Sequence, residues 1–253
     1  MQGIVLAYHQ ISPEFGTGFS NTTPKQFARH IRFLRDANYS SMSLMDHVSG
    51  RVKNQPAVVI TFDDAYSSVY ENAFPILEQY GFSATVFPIT KFVGGWNQWD
   101  YHIRRFRKSH CGWQQLRQLF EAGWEVGSHS VSHAHLHTLS ASRLWHELRY
   151  SKEVIESKLG EEVRVLSYPF GWANGYVADM THRAGYRAAC TLGLRGPEGP
   201  YAIRRKGIYF FEPEKFFELK LQPGACARID DIKQMLLARL AQSSATLRFL
   251  NSV

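Results

Sequence analysis

The chain has 253 residues, of which 44% are hydrophobic, 14% aromatic and 20% charged. This composition excludes wholesale disorder and is typical of a globular chain with an extensive core. The formal net charge of +7 suggests an acidic partner or surface, but the sequence contains no recognisable nucleic-acid-binding module, so nucleic acid is not an expected partner.

Two basic runs stand out, RRFRK at 104–108 and RRK at 204–206. We interpret both as solvated faces, with attraction to a membrane surface or a phosphate-bearing carrier as the alternative. The three cysteines, Cys111, Cys190 and Cys226, lie far apart and predict neither a disulfide framework nor a thiolate metal site. The oligomeric state is not indicated.

The first residues lack a basic n-region and an apolar run long enough for a signal peptide. No segment approaches the about 20 apolar residues that a membrane-spanning helix needs. As it stands the sequence predicts a cytoplasmic protein; a chain trimmed of its leader would instead be periplasmic or extracellular.

The predicted elements alternate between strands and helices along the chain. In chain order they are strand 3–11, helix 24–38, strand 57–64, helix 67–80, strand 83–90, helix 112–122, strand 124–130, helix 140–159, strand 163–168, helix 176–184, strand 186–192 and helices 213–221 and 229–241. Thr23 is the expected N-cap of the first helix, with Pro24 at its first position. Pro75 predicts a kink in the second helix.

The strand at 57–64 is apolar on both faces, as in a buried parallel strand. Alternating strands and helices predict an α/β protein built as a parallel barrel or a distortion of one. We expect a single domain over 1–253, of which 212–253 forms a C-terminal helical extension. Reactive groups of such folds collect at the carboxyl ends of the strands.

Three segments place polar groups at such strand ends. The first closes strand 57–64 with Asp63 and Asp64, which are either ligands and a base or an N-cap pair for the next helix. The second holds four histidines within nine residues, His129, His133, His135 and His137. Histidines four apart on a helical turn face the same way, so His129 and His133 indicate a metal site.

The third segment is the turn SYPFG at 167–171, whose amide could face a substrate. Two histidines and one carboxylate are the ligand set of many hydrolytic sites, which leave positions open for water and substrate. This set suits one divalent ion, Zn²⁺ first, with Co²⁺, Ni²⁺, Mn²⁺ or Fe²⁺ also compatible. A closed structural metal site is the alternative, but such sites usually have four protein ligands.

These motifs resemble those of the polysaccharide deacetylase family, which contains the NodB-homology domain, over residues 3–210. TFDDAY at 61–66 is similar to the family's TFDDGY, with Ala65 in place of glycine. HSVSHAHL at 129–136 is similar to H(S/T)xxHPxL, with Ala134 in place of proline. SYPFG replaces RPPYG, with Ser167 where arginine would stand. Together with the opening Ala7-Tyr8-His9, this form is closest to the branch that deacetylates poly-β-1,6-N-acetylglucosamine.

The resemblance implies a distorted (β/α) barrel of the NodB-homology type and an enzyme that removes N-acetyl groups from amino sugars of a poly- or oligosaccharide. It implies metal binding by Asp64, His129 and His133, with Asp63 as general base. No histidine follows His182, so the general-acid role is carried to His9. The candidate oxyanion and substrate contacts are Phe170, Tyr168, Trp96, Trp99 and Trp172.

Two further functions stay open at this point. The first is deacetylation of a small or lipid-linked N-acetyl amino sugar. The second is a catalytically silent carbohydrate-binding homologue, which the departures at Ala65, Ala134 and Ser167 suggest. Retention of Asp63 beside the ligand set argues against the second, because a pure binder needs no positioned base.

Overall fold

The structure of the protein is a computed structural model that describes residues 3–13, 20–51, 55–96, 108–192 and 199–222. The strands in these ranges are β1 (Ile4–Tyr8), β2 (Gln10–Ile11), β3 (Asn21–Thr22), β4 (Ser40–Ser41), β5 (Ala57–Asp64), β6 (Thr85–Pro88), β7 (Glu125–Val126), β8 (Val165–Ser167), β9 (Ala188–Leu192) and β10 (Ile203–Gly207). The α-helices are α1 (Pro24–Asp36), α2 (Leu44–Val48), α3 (Phe74–Gln79), α4 (Trp113–Glu121), α5 (Ala141–Leu159), α6 (Gly175–Arg183) and α7 (Glu214–Lys220).

The main sheet is parallel and almost closes on itself. Its strand order is β7-β6-β5-β1-β10-β9-β8, and β4 pairs with the start of β5. A parallel bridge between Ser128 and Leu166 joins the two ends, and the Ser128 amide donates to the Val165 carbonyl at 3.0 Å. The predicted distorted (β/α) barrel is therefore confirmed, and the carboxyl ends of its strands form one rim.

Alternation along the strands separates two cores. Val5 and Val59 belong to a small cluster inside the barrel, to which β1, β5, β6, β8 and β9 contribute together with Met42 and Leu44. Leu6 and Ile60, one residue further along, belong to the large cluster between the sheet and the helices. Because side chains alternate between faces, the positions that share a face with Val5 and Val59 point into the barrel.

Several predicted elements form as the sequence indicated. β5 has the predicted bounds, and Thr23 caps α1 by accepting from the Gln26 amide at 3.2 Å. α5 ends at Gly160, whose φ of 80° is the left-handed conformation that favours glycine. Its N-cap, Ser140, makes no side-chain capping bond.

The predicted helix at 67–80 divides into two parts. Residues Val69–Ala73 form a π-helix, and α3 follows directly. Pro75 lacks an amide hydrogen and its ring would clash with the carbonyl four residues earlier, which accounts for the wider turn before it. The expected kink is thus a change of helix type.

β10 was not among the predicted strands, although it lies between β1 and β9. The predicted helix at 213–221 is present as α7, whereas that at 229–241 lies outside the described residues. In the part of the chain that the structure describes, no helix combines the length and apolar character needed to cross a bilayer.

Candidate active site

The carboxyl end of β5 delivers two buried carboxylates to one pocket. Asp63 shares a face with Val59, so it points into the barrel. Asp64 would point outward if the strand continued, but its φ of 66° and the φ of 50° at Ala65 turn the chain back. The His110 side chain holds this bend, because its Nδ1 donates to the Asp64 carbonyl at 2.6 Å.

Asp64, His129 and His133 converge at the barrel mouth. The Asp64 Oδ1 atom lies 3.6 Å from His129 Nε2 and 3.7 Å from His133 Nε2, and all three ligand atoms lie within 4.8 Å of one another. Atoms that share a tetrahedral ion at about 2.0–2.2 Å stand about 3.3–3.6 Å apart, close to the two distances from Asp64 Oδ1. The geometry therefore fits one divalent cation.

The tautomer of His129 supports this fit. Its Nδ1 lies 2.7 Å from the Ser167 carbonyl oxygen, which only accepts, so Nδ1 carries the proton. The neutral ring then turns the lone pair of Nε2 toward Asp64, the arrangement that metal-binding histidines adopt. Two acceptors that face each other at 3.6 Å repel unless a cation lies between them.

His129 and His133 do not lie on a helical turn, contrary to our expectation. They flank an irregular turn after β7 in which Ser130 and His133 have φ values of 66° and 60°. Ser130 Oγ accepts from the His133 amide at 3.1 Å. The four-residue spacing thus brings both imidazoles to Asp64 because the turn between them contains left-handed residues.

Arg205 is the main site residue that the sequence interpretation missed. Its guanidinium is fully buried and donates to both Asp63 oxygens at 2.7 Å, and to Ser167 Oγ at 2.8 Å. β10 neighbours neither β5 nor β8, so this side chain crosses the barrel interior. The interpretation of 204–206 as a solvated face is therefore wrong at Arg205. In the other run, residues 104–107 lie outside the described ranges.

These contacts set the charge state of the site. Burial raises the pKa of Asp63, but the Arg205 charge and its hydrogen bonds more than offset this and hold the pKa well below its usual range. Burial lowers the pKa of His129, and burial with the neighbouring His129 lowers that of His133. At neutral pH the site therefore combines an ionised Asp63 with neutral imidazoles at His129 and His133.

His9 follows β1 and shares the inward face with Val5 and Ala7. Its Nε2 lies 4.0 Å from Asp63 Oδ2, and its side chain is 24% exposed. Burial lowers the pKa of His9 to about 4, and the Asp63 charge only partly offsets this. His9 is thus neutral at rest, which differs from our expectation of a protonated acid.

The turn after β8 places Phe170 against His133 and His135. Phe170 has a φ of 59°, and its ring centroid lies 4.5 Å from that of His133 and 3.8 Å from that of His135. The half-buried Trp172 contacts the His137 ring at 4.1 Å. Together these rings form an aromatic cluster beside the candidate metal ligands.

The remaining candidates differ in their surroundings. The Tyr168 side chain is fully buried in the large core and its amide donates to the Cys190 carbonyl, so the predicted substrate contact of Tyr168 is wrong. Trp96 is 53% exposed, and its backbone forms an isolated antiparallel β-bridge with Ser109. Trp99 lies outside the described residues.

Comparison with known proteins agrees with this geometry. A sequence profile described as polysaccharide deacetylase matches residues 50–189. The "Putative polysaccharide deacetylase YxkH" of Bacillus subtilis is 27% identical over an alignment of 209 residues that covers 79% of this chain and 69% of that protein. The poly-beta-1,6-N-acetyl-D-glucosamine N-deacetylase of Staphylococcus epidermidis is 26% identical. That alignment covers 68% of this chain and 61% of the relative.

Solved structures share the fold. The Streptococcus pyogenes deacetylase PplD in complex with acetate matches with a TM-score of 0.75 at 20% identity, covering 88% of this chain and 99% of that one. IcaB from Ammonifex degensii matches with a TM-score of 0.68 at 21% identity, covering 86% and 94%.

Proposed function

Because the chain belongs to the polysaccharide deacetylase family, we propose that it is a metal-dependent hydrolase that removes N-acetyl groups from amino sugars in a poly- or oligosaccharide. The observation that carries this proposal is the convergence of Asp64, His129 and His133 beside the ionised Asp63. The named activity of the staphylococcal relative supports the choice of an N-acetylated amino sugar.

The proposed cofactor is one divalent cation held by the three converging ligands, with Zn²⁺ the first choice for two imidazoles and a carboxylate. The chemistry that a cation supplies in such a ligand set is polarisation of a carbonyl oxygen and a lower pKa for water. The protein groups around it then bind, orient and move protons.

Asp63 is the proposed general base. Arg205 occupies both of its oxygens and fixes the plane of the carboxylate, while the lone pairs that remain accept the proton of the attacking water. A C–O bond forms first at the acetyl carbon, and the amide C–N bond breaks when the tetrahedral intermediate collapses. The products are acetate and a free amine.

His9 is the proposed general acid for the departing amine nitrogen. Because it is neutral at rest, the proton that it donates must first reach it during turnover. Asp63 Oδ2, 4.0 Å from His9 Nε2, is the nearby source of the proton taken from water. His9 as acid thus depends on Asp63 as base.

The amide of Phe170 is the proposed hydrogen-bond donor to the oxyanion of the tetrahedral intermediate. Its positive φ belongs to a turn that a neighbouring glycine helps to form. The exposed edges of Trp172 and Trp96, and Trp99 by its position in the sequence, are proposed contacts for sugar rings.

Acetate release tests this function. A β-1,6-linked N-acetylglucosamine pentamer and monomeric N-acetylglucosamine would be assayed with Zn²⁺-loaded and chelator-treated protein. We expect release from the pentamer that chelation abolishes and Zn²⁺ restores. Asp63→Asn should lower kcat at least about 100-fold, the scale of a general base.

Asp179→Asn provides the matched control, because this aspartate forms an exposed ion pair with Arg183 on α6. It should leave kcat unchanged. Turnover by Asp63→Asn at the wild-type rate would refute the base assignment. Release from the monomer but not the pentamer would favour a small amino sugar as substrate.

A further inference from the structure

The carboxylate of Glu147, on α5, accepts hydrogen bonds from the turn between His129 and His133. Glu147 Oε2 accepts from the amides of Val131 and Ser132 at 2.8 and 2.9 Å, and Oε1 accepts from Ser132 Oγ at 2.5 Å. Glu147 is only 8% exposed. Three donors from two consecutive residues therefore satisfy one buried carboxylate.

The turn that is hydrogen-bonded to Glu147 is strained. Ser130 and His133 both have left-handed φ values without being glycine, a conformation that is unfavourable for residues with a side chain. Such a turn persists only when its surroundings determine it. A relaxed turn would carry His133 Nε2 away from its position 3.7 Å from Asp64 Oδ1.

The helix that carries Glu147 is itself tied to the backbone that follows β7. Ser128 Oγ donates to Ser151 Oγ at 2.9 Å, and Ser151 Oγ bonds to the Glu147 carbonyl at 2.7 Å. Ser128 directly precedes His129. The same short stretch of backbone therefore fixes the positions of the Glu147 carboxylate and of both histidines relative to one another.

We propose that Glu147 is a positioning residue for the cation site, an inference that rests on the proposed metal dependence. Its hydrogen bonds hold the turn in the left-handed form that brings the His133 imidazole onto Asp64 beside that of His129. Glu147 thereby determines how tightly the site binds a divalent cation without touching the ion.

The test compares two glutamates of the same helix. Glu147→Gln keeps the size of the side chain but replaces one acceptor oxygen by an NH2 group, itself a donor, beside the three donors of the turn. Glu156 is the control, because it accepts from the Val163 amide at 2.9 Å and from Lys152 Nζ at 2.7 Å near the other end of α5. Glu156→Gln therefore perturbs a similar anchor far from the site.

Each protein would be measured for its Zn²⁺ dissociation constant by chelator competition, its Co²⁺ absorption spectrum and its metal-free Tm. We expect Glu147→Gln to weaken Zn²⁺ binding about 10- to 100-fold and to alter the Co²⁺ spectrum. Glu156→Gln should lower Tm and leave both metal readouts unchanged. Ser132→Ala removes one hydrogen bond and should weaken binding several-fold, which keeps the test open if Glu147→Gln does not fold.

Wild-type affinity and spectrum in Glu147→Gln, with only a lower Tm, would show that Glu147 merely stabilises the fold and would overturn the inference. Equal losses of affinity in both glutamate variants would do the same. If the wild-type protein takes up no divalent cation, the proposed function fails, and the role of Glu147 fails with it.

Discussion

Asp63 and Arg205 each make the burial of the other tolerable. A buried charge that loses its partner typically destabilises a protein by about 3–5 kcal/mol, whereas a paired and hydrogen-bonded one does not. The planar guanidinium reaches both carboxylate oxygens at once, which an ammonium cannot do. The pair therefore fixes the orientation of the proposed base as well as its charge.

Arg205→Lys should keep the charge but lose this two-point contact. We expect kcat to fall about 10- to 100-fold, since small displacements of a catalytic group have effects of this size. Weaker pairing lets the burial of Asp63 raise its pKa, so the acid limb of the pH–kcat profile should move to higher pH. Steady-state kinetics between about pH 4 and 8 would measure both effects.

Arg204→Lys is the control for this change, since Arg204 is the exposed neighbour on β10. Zn²⁺ affinity should be unchanged in both variants, because neither residue is a proposed ligand. A profile of Arg205→Lys that coincides with that of the wild type would contradict the positioning of Asp63 by Arg205.

The site residues differ in how far the sequence could predict them. Asp63, Asp64, His129 and His133 stand in short local motifs, and the structure brings them together. Arg205 stands in a basic run, which usually indicates a solvated surface. Only the register of β10 and its inward face show that this arginine reaches Asp63, and both depend on contacts 142 residues apart in the chain.

At the level of the elements, the turn after β8 depends on a glycine. Gly171 has a φ of 67°, and a Cβ placed there would lie 2.2 Å from Leu192 Cβ and 2.7 Å from the Leu192 amide nitrogen. The turn Pro169–Gly171 thus packs directly on the end of β9. Any side chain at this position must displace the turn that presents the Phe170 amide.

Gly171→Ala should destabilise the protein by about 1–3 kcal/mol, the usual cost of overpacking, and should also lower kcat. Urea denaturation and acetate release would measure the two effects. Gly175→Ala is the matched control, because a Cβ placed at Gly175, where α6 begins, would meet no neighbouring atom within 4 Å. Equal stability of both variants would refute the close approach.

The predictability of the elements follows from their burial pattern. β5 is apolar on both faces and was predicted with its observed bounds. β10 has the sequence IRRKG, whose three charged residues give no hydrophobic pattern, although the strand lies in the middle of the sheet. The pattern that sequence reasoning uses is a hydrophobic one, so a strand that carries a buried functional arginine escapes it.

On the scale of the whole molecule, buried histidines make stability depend on pH. His30 is 2% exposed, lies 3.1 Å from the Tyr8 hydroxyl through Nδ1 and stacks on Phe217 at 4.0 Å. Burial lowers its pKa from 6.5 to about 3. Between these values the unfolded chain binds a proton that the native protein does not, so stability falls as pH falls from 6.5 toward 3.

His30→Asn should remove this contribution. Between pH 7 and 5 the wild type should lose about 2 kcal/mol more of its free energy of unfolding than the variant does, from about 1.4 kcal/mol per pH unit below about 6.5. Urea denaturation of metal-free protein at both pH values would measure the difference. Identical losses would mean that His30 is protonated in the native state.

The closure of the barrel also has a consequence for the order in which the protein acquires its structure on the ribosome. β1 lies between β5 and β10, so one edge of β1 stays unpaired until residue 207 has left the exit tunnel. Until then its amides and carbonyls remain open to pairing with other chains, which is the usual hazard of an exposed edge. A nascent chain stalled before β10 would have the ligand motifs in its sequence but neither a finished barrel nor a partner for Asp63.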